Sequence, residues 1–141
     1  MISQCYREAL VVRLDEGEEA VSSLAGALQQ HSIHAGFVPT FIGAMRDCRL
    51  ILRKGHEEVL ESHVEVVGNG NVSFYEGKPL VHLHVSAGND RGVWVGHLVR
   101  GTVDIFCEAV VVPVHGTMVR SYGKALAESG VTVPYILDFG R

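Results

Sequence analysis

From Ala35 to Val114 the chain runs as short apolar, β-branched stretches broken by glycine-bearing turns, and this pattern commits it to a strand-rich fold. Ala35–Ile42 and Cys48–Lys54 read as strands on either side of a small turn at Gly43-Ala44. Val59–Val67 alternates apolar and polar residues in part, and Val72–Tyr75 is a short run before the turn Glu76-Gly77-Lys78-Pro79. Leu80–Ser86 and Val93–Val99 form a strand pair around AGNDRG. Thr102–Val114 is apolar enough for a central strand, with Pro113 at its frayed end.

Helical signal is confined to the flanks. After a strand at 6–14, Val21, Leu24, Ala25 and Leu28 recur at i, i+3, i+4 and i+7 and share one helical face. Glu16, Glu18 and Glu19 crowd the start of that helix, where its dipole favours negative charge. A weaker helix is expected at Ser121–Ser129, stopped by Gly130, and the closing run VTVPYILDF reads as a last strand. Strands joined by short turns imply an antiparallel sheet with helices on one face. The expected class is therefore α/β in the broad sense (α+β): a compact, largely antiparallel sheet of seven or eight strands, one main helix and a short C-terminal helix. With 141 residues and no linker or repeat, residues 1–141 are read as one domain.

Composition narrows the function classes. A net charge of −4 and no Lys/Arg run beyond two residues argue against a nucleic-acid partner, since phosphate neutralisation needs a basic face. No apolar stretch reaches the roughly 20 residues that cross a bilayer, and MISQCYREALVV lacks a basic n-region and a cleavage site, so a cytoplasmic location is expected. Cys5, Cys48 and Cys107 are odd in number and widely spaced, which reads as buried reduced thiols.

His82 and His84 lie two apart on one predicted strand, so both imidazoles leave the same face. The next histidine, His97, falls on the following strand. A turn centred between Asn89 and Asp90 pairs residue 82 with 97, and a turn one residue later pairs 84 with 97. Either register puts His97 on that face, whereas the intermediate one turns it away. Facing Cβ atoms lie roughly 4.5–5.5 Å apart, close enough for three rings to meet one ion at about 2.0–2.1 Å from each nitrogen. Neutral imidazoles suit zinc, with nickel, copper and iron within the same chemistry. Three histidines leave a tetrahedral ion's fourth position open to water, a ligand or a side chain from another subunit. Against this stands a cluster satisfied by carbonyls and carboxylates.

The stretch from Glu65 to Glu108 resembles the plants-and-prokaryotes conserved (PPC) domain family. The resemblance is carried by Gly70-Asn71-Val72, Gly77 and Pro79, His82-x-His84, Gly92, Gly96-His97-Leu98 and Glu108. Upstream, LDEGEEAVSSLAGALQQHSIHAGFV and FIGAM are similar to that family's first strand, helix and Ile-Gly-Ala turn, so the likeness spans roughly residues 6–115. It implies a compact fold assembling as a homotrimer and, for prokaryotic members, a divalent metal on His82, His84 and His97. Plant relatives join the domain to AT-hook segments that bind DNA; this chain has no Arg-Gly-Arg-Pro sequence, so that activity does not transfer. Val95 stands where the family has the first of two glycines.

Glu108 and Glu65 are candidates to orient a ligating imidazole or to serve as a base for a metal-bound water, against the plainer reading of strand-surface contacts. His31 and His34 follow the first helix, where a capping or surface role outweighs ligation. His56, His63 and His115 have no sequence-evident partner. Gly68-x-Gly70 lacks the rest of a phosphate loop and reads as a turn. Ser22, Ser23, Ser62 and Ser86 lack a nucleophile elbow, and Cys107 reads as an inert thiol. Three functions follow: a trimeric metal protein binding a small ligand or protein partner, a metal-dependent hydrolase or lyase, and a DNA-associated assembly module.

Overall fold

The structure, a computed structural model, describes residues 1–6, 8–53, 55–121 and 136–139. Within them the chain forms β1 (Ile2–Tyr6), β2 (Ala9–Asp15), α1 (Ala20–Gln30), β3 (Gly36–Arg53), β4 (His56–Leu60), β5 (Val64–Tyr75), β6 (Lys78–Asn89), β7 (Gly92–Pro113), β8 (Met118–Ser121) and β9 (Ile136–Phe139). All nine strands join one sheet, and every strand pair is antiparallel except β5 with β8. The α+β sheet-and-helix class expected from the sequence is the one observed. The expected helix at 121–129 lies outside the described residues apart from Ser121, which ends β8.

Two long strands organise the sheet. β7 carries β3 along one edge; its other edge takes β6 at Gly92–His97 and β2 at Phe106–Val111. Since β5 bridges β3 to β6, the strands β3, β5, β6 and β7 pair in a closed ring. Inside it lie Val38, Phe41, Met45, Leu50, Val72, Leu83, Val85 and Leu98, each at most 2 % exposed.

β3 corrects the expectation of two strands around a turn. Because β7 offers ladder partners on both sides of Gly43, the chain bends through bulges there instead of reversing. Gly43 takes φ 146, and a Cβ at that position would strike the Phe106 carbonyl. The expected strands at 93–99 and 102–114 likewise fuse into β7.

Helix α1 closes the core against β2, β6 and β7. Its fully buried stripe is Ala20, Leu24, Ala27 and Leu28, with Val21 and Ala25 half-buried beside it. Glu19 is the N-cap: its carboxylate accepts from the amides of Val21 (3.2 Å) and Ser22 (2.8 Å), and from Gly101 N–H (3.2 Å). His31 is the C-cap, with its ring 3.0 Å from the Ser3 hydroxyl, and His34 lies against the Phe74 ring at 4.8 Å.

Cys48 and Cys107 are buried, and burial pushes both thiols up to about 12. Cys5 corrects the reading of three buried thiols: it is exposed on β1, which among the described residues lies at the sheet edge beside β2.

Candidate metal centre

Alternation along β6 decides where its histidines point. Val81, Leu83 and Val85 go into the core, and His82 and His84 therefore leave the opposite face. The hairpin takes the second of the two permitted registers, with Asn89 opposite Gly92 and His84 opposite His97. Leu98 and Gly96 turn inward, so His97 turns out beside the other two.

The rings form a compact triangle. Centroids are 5.1 Å apart for His82–His84, 5.0 Å for His82–His97 and 5.7 Å for His84–His97, and one nitrogen from each ring falls within 4.8 Å of the others. Nothing else among the described residues offers three ligand groups so close together.

The triangle depends on close approach of the strands beneath it. β5 runs opposite β6 with Asn69 facing His84 and Asn71 facing His82. A Cβ on Gly68 or Gly70 would collide with the carbonyl oxygen of His84 or His82 respectively. Gly68-x-Gly70 is therefore strand interior rather than the expected turn, and the missing side chains let β5 lie against the histidine-bearing strand.

Electrostatics keep the His82 and His97 rings available as ligands. Burial, aided by the nearby Arg120 cation and the other histidines, lowers His82 to about 4. Burial also holds His97 below the ordinary imidazole value, with His84 and Arg120 contributing. Unprotonated imidazoles present a lone pair, which is what a borderline cation such as Zn²⁺ requires, so the donor set fits such an ion.

Arg120, on β8, is only 7 % exposed. Its Nη2 donates to Asn71 Oδ1 at 2.9 Å and lies 3.2 Å from His82 Nδ1. Sequence reasoning missed this residue. Asn71 stands in the sequence only as part of Gly70-Asn71-Val72, and nothing in a four-residue strand after a glycine loop announces that Arg120 returns beside β5.

The two carboxylates are not brought to the triangle within one chain. Glu65 is bound elsewhere, its Oε1 3.1 Å from His63 Nε2, while His63 Nδ1 lies 2.6 Å from Asp104 Oδ2. That supplies His63 with partners the sequence did not reveal, and the Asp104 hydrogen bond, then Glu65, raises its pKa. Glu108 is exposed and pairs with Arg13 and Ile42, eleven positions along β7 from His97, about 36 Å of extended strand. His31, His34, His56 and His115 also lie outside the cluster.

The face bearing the triangle also exposes apolar side chains. Ile42 and Val67 are cross-strand partners, Val67 faces Ser86, and Ser86 faces Val95. These three hydrophobic side chains are 41 %, 58 % and 61 % exposed, and Phe37, opposite Asn71, is 50 % exposed. Val95 thus adds an apolar side chain two positions from His97 and leaves the ligand positions in place. No helix of the described residues is long and apolar enough to cross a membrane.

Comparison with known proteins agrees with this fold. Residues 4–115 match the profile of the Plants and Prokaryotes Conserved (PCC) domain. A metal-containing protein of Archaeoglobus fulgidus is 28% identical, with TM-score 0.75 over 89% of this chain and 94% of that one. A plant- and prokaryote-conserved protein of Pyrococcus horikoshii is 26% identical, with TM-score 0.71 over 87% and 90%. A Bacteroides thetaiotaomicron protein described as a candidate DNA-binding protein shares the fold at TM-score 0.84 and 22% identity, over 99% and 98%. No curated protein matches the chain.

Proposed function

Because the chain belongs to the Plants and Prokaryotes Conserved domain family, and because its three outward histidines converge, we propose that it is a metal-binding protein of the cytoplasm. His82, His84 and His97 hold one divalent ion, zinc by the preference of three neutral imidazoles for a borderline cation. The carrying observation is that three ring nitrogens lie within 4.8 Å of one another on one strand face. The metal-containing relative from Archaeoglobus fulgidus supports the reading.

When bound, such an ion supplies Lewis acidity at its open coordination position. The protein supplies the three ligands and a rigid core under them: Val81, Leu83 and Val85 lock β6, and the glycines of β5 fix its spacing. Neither Glu65 nor Glu108 lies at the cluster, so binding of a small ligand or partner is favoured over hydrolysis or lyase chemistry. A net charge of −4 disfavours a role on DNA.

We further read the working form as a homotrimer. Phe37, Ile42, Val67 and Val95 give one face an exposed hydrophobic lining around the triangle, the character of a subunit interface. Metal analysis of the purified protein beside a H82A/H84A/H97A variant tests the site: one ion per chain, lost in the variant, is expected, and equal metal in both ends the proposal. Light scattering tests assembly, and a monomer at micromolar concentration refutes the trimer.

A further inference from the structure

Cross-strand pairing ties Glu108 to the face that carries the triangle. Glu108 pairs with Ile42, Ile42 with Val67 and Val67 with Ser86, which lies two positions from His84 on β6. Paired residues point the same way, so Glu108 and the histidines stand on one surface. Three strand spacings, about 14 Å, separate Glu108 from Ser86, and a glutamate side chain does not span them. Glu108 is exposed, and among the described residues its side chain enters no hydrogen bond or ion pair. Its cross-strand neighbour Arg13 donates to Asp15 Oδ1 at 3.0 Å instead.

Exposed hydrophobic side chains surround that carboxylate: Phe106 two positions away on β7, Ile42 opposite, and Val11 two positions from Arg13 on β2. Covering this belt in a subunit interface takes water from Glu108, which is costly unless a cation meets it. The triangle has the opposite deficit. A divalent ion on three neutral imidazoles keeps its charge and an open position, and no carboxylate of the described residues joins the group. The two patches are thus complementary in charge, each has an apolar surround, and they are different parts of one chain. Contact between unlike patches is heterologous, and a rotation that closes it gives a ring.

We propose that a second copy of the chain completes the metal site: Glu108 of the neighbouring subunit is the fourth ligand of the ion held by His82, His84 and His97, once per interface around the trimer. This inference rests on the metal-binding and trimer readings and names the partner at the open position. Metal loading and assembly then strengthen each other, because the ion neutralises a carboxylate that the interface buries.

Co²⁺ titration of the metal-free protein, followed by visible absorption, is the test, applied to wild type, to E108Q and to mixed trimers. E108Q keeps the size of an exposed side chain and removes its charge, with folding checked by circular dichroism and assembly by light scattering. It is expected to bind Co²⁺ roughly tenfold or more weakly than wild type, the scale for losing a carboxylate partner at a metal centre. Without metal, the E108Q trimer should be at least as stable as wild type, since its interface no longer buries an unpaired charge. The decisive sample is E108Q co-expressed with H82A/H84A/H97A under two affinity tags and purified through both. In a ring, an intact triangle followed by a triple-variant chain receives that chain's Glu108. Each mixed trimer should therefore carry one site of wild-type affinity, although neither parent has any. Mixed trimers with E108Q affinity alone, E108Q binding as tight as wild type, or a metal-free E108Q trimer weaker than wild type overturns the proposal and leaves the metal site intact. A wild type that binds Co²⁺ as a monomer removes the trimer reading too, and a wild type that binds no Co²⁺ removes the metal reading.

Discussion

The same substitution, glycine to alanine, should stabilise this protein at one position and damage it at another. Gly26 lies inside α1, and a Cβ there would meet nothing within 4 Å. Alanine restricts the unfolded chain and favours the helix, so G26A should gain about 0.5–1 kcal/mol. Gly70 is the opposite case. A Cβ there runs into the His82 carbonyl oxygen and comes within 2.9 Å of its carbon and 3.0 Å of Leu83 Cα. All three are backbone atoms of the paired strand, so no rotamer relieves the overlap and β5 must move off β6. Overpacking costs about 1–3 kcal/mol, and two weakened ladder hydrogen bonds add about 0.5–1 kcal/mol each, giving a loss of about 2–5 kcal/mol. At about 3–5 °C per kcal/mol for a chain of this size, Tm should fall by about 6–25 °C in G70A and rise by about 2–5 °C in G26A. Thermal and urea unfolding of the metal-free proteins, at one protein concentration, read both shifts. Because the displaced backbone belongs to His82, G70A should also bind metal more weakly, while G26A should not. A G70A variant as stable as wild type, or both variants moving in the same direction, would refute the strand-spacing argument.

Removing the core anchor between two ligands, L83A, should cost about 2–5 kcal/mol in urea unfolding, since Leu83 is 1 % exposed; a loss below about 1 kcal/mol contradicts its burial. Thiol labelling of the native protein should modify Cys5 alone, with Cys48 and Cys107 reacting only in denaturant; early modification of either buried thiol counts against the core as described. His63 has a folded pKa raised above its unfolded value by Asp104 and Glu65, so its stabilisation is full below the unfolded pKa near 6.5 and disappears as pH rises through the folded one. The Tm difference between wild type and H63A should accordingly be larger at pH 5.5 than at pH 9, and a difference that grows with pH would reverse the sign and exclude the assignment.

Period-two alternation was enough to put His82 and His84 on one face, but His97 joins them only in the registers that pair it with residue 82 or 84, the intermediate one turning it away. Choosing between them depended on the turn backbone, where Asn89 faces Gly92 and the Asn89 side chain accepts from the Arg91 amide at 2.9 Å. Helix α1 was equally legible, its buried stripe shifted toward Ala20 and Ala27 by the elements it meets. Strand continuity was not. Gly43-Ala44 and Gly68-x-Gly70 have the composition of turns, and only partners distant in sequence convert one into a bulge and the other into a close strand crossing. The same holds for Arg120 and for the His63–Asp104 pair, whose members are brought together by pairings that local pattern does not encode.

The most direct test of the central claim is a crystal structure of the metal-loaded protein with anomalous data collected on both sides of the zinc edge. One anomalous peak per chain is expected, about 2.0–2.1 Å from a ring nitrogen of each of His82, His84 and His97. A peak elsewhere, or three rings hydrogen-bonded to protein groups with no peak among them at saturating zinc, would contradict it.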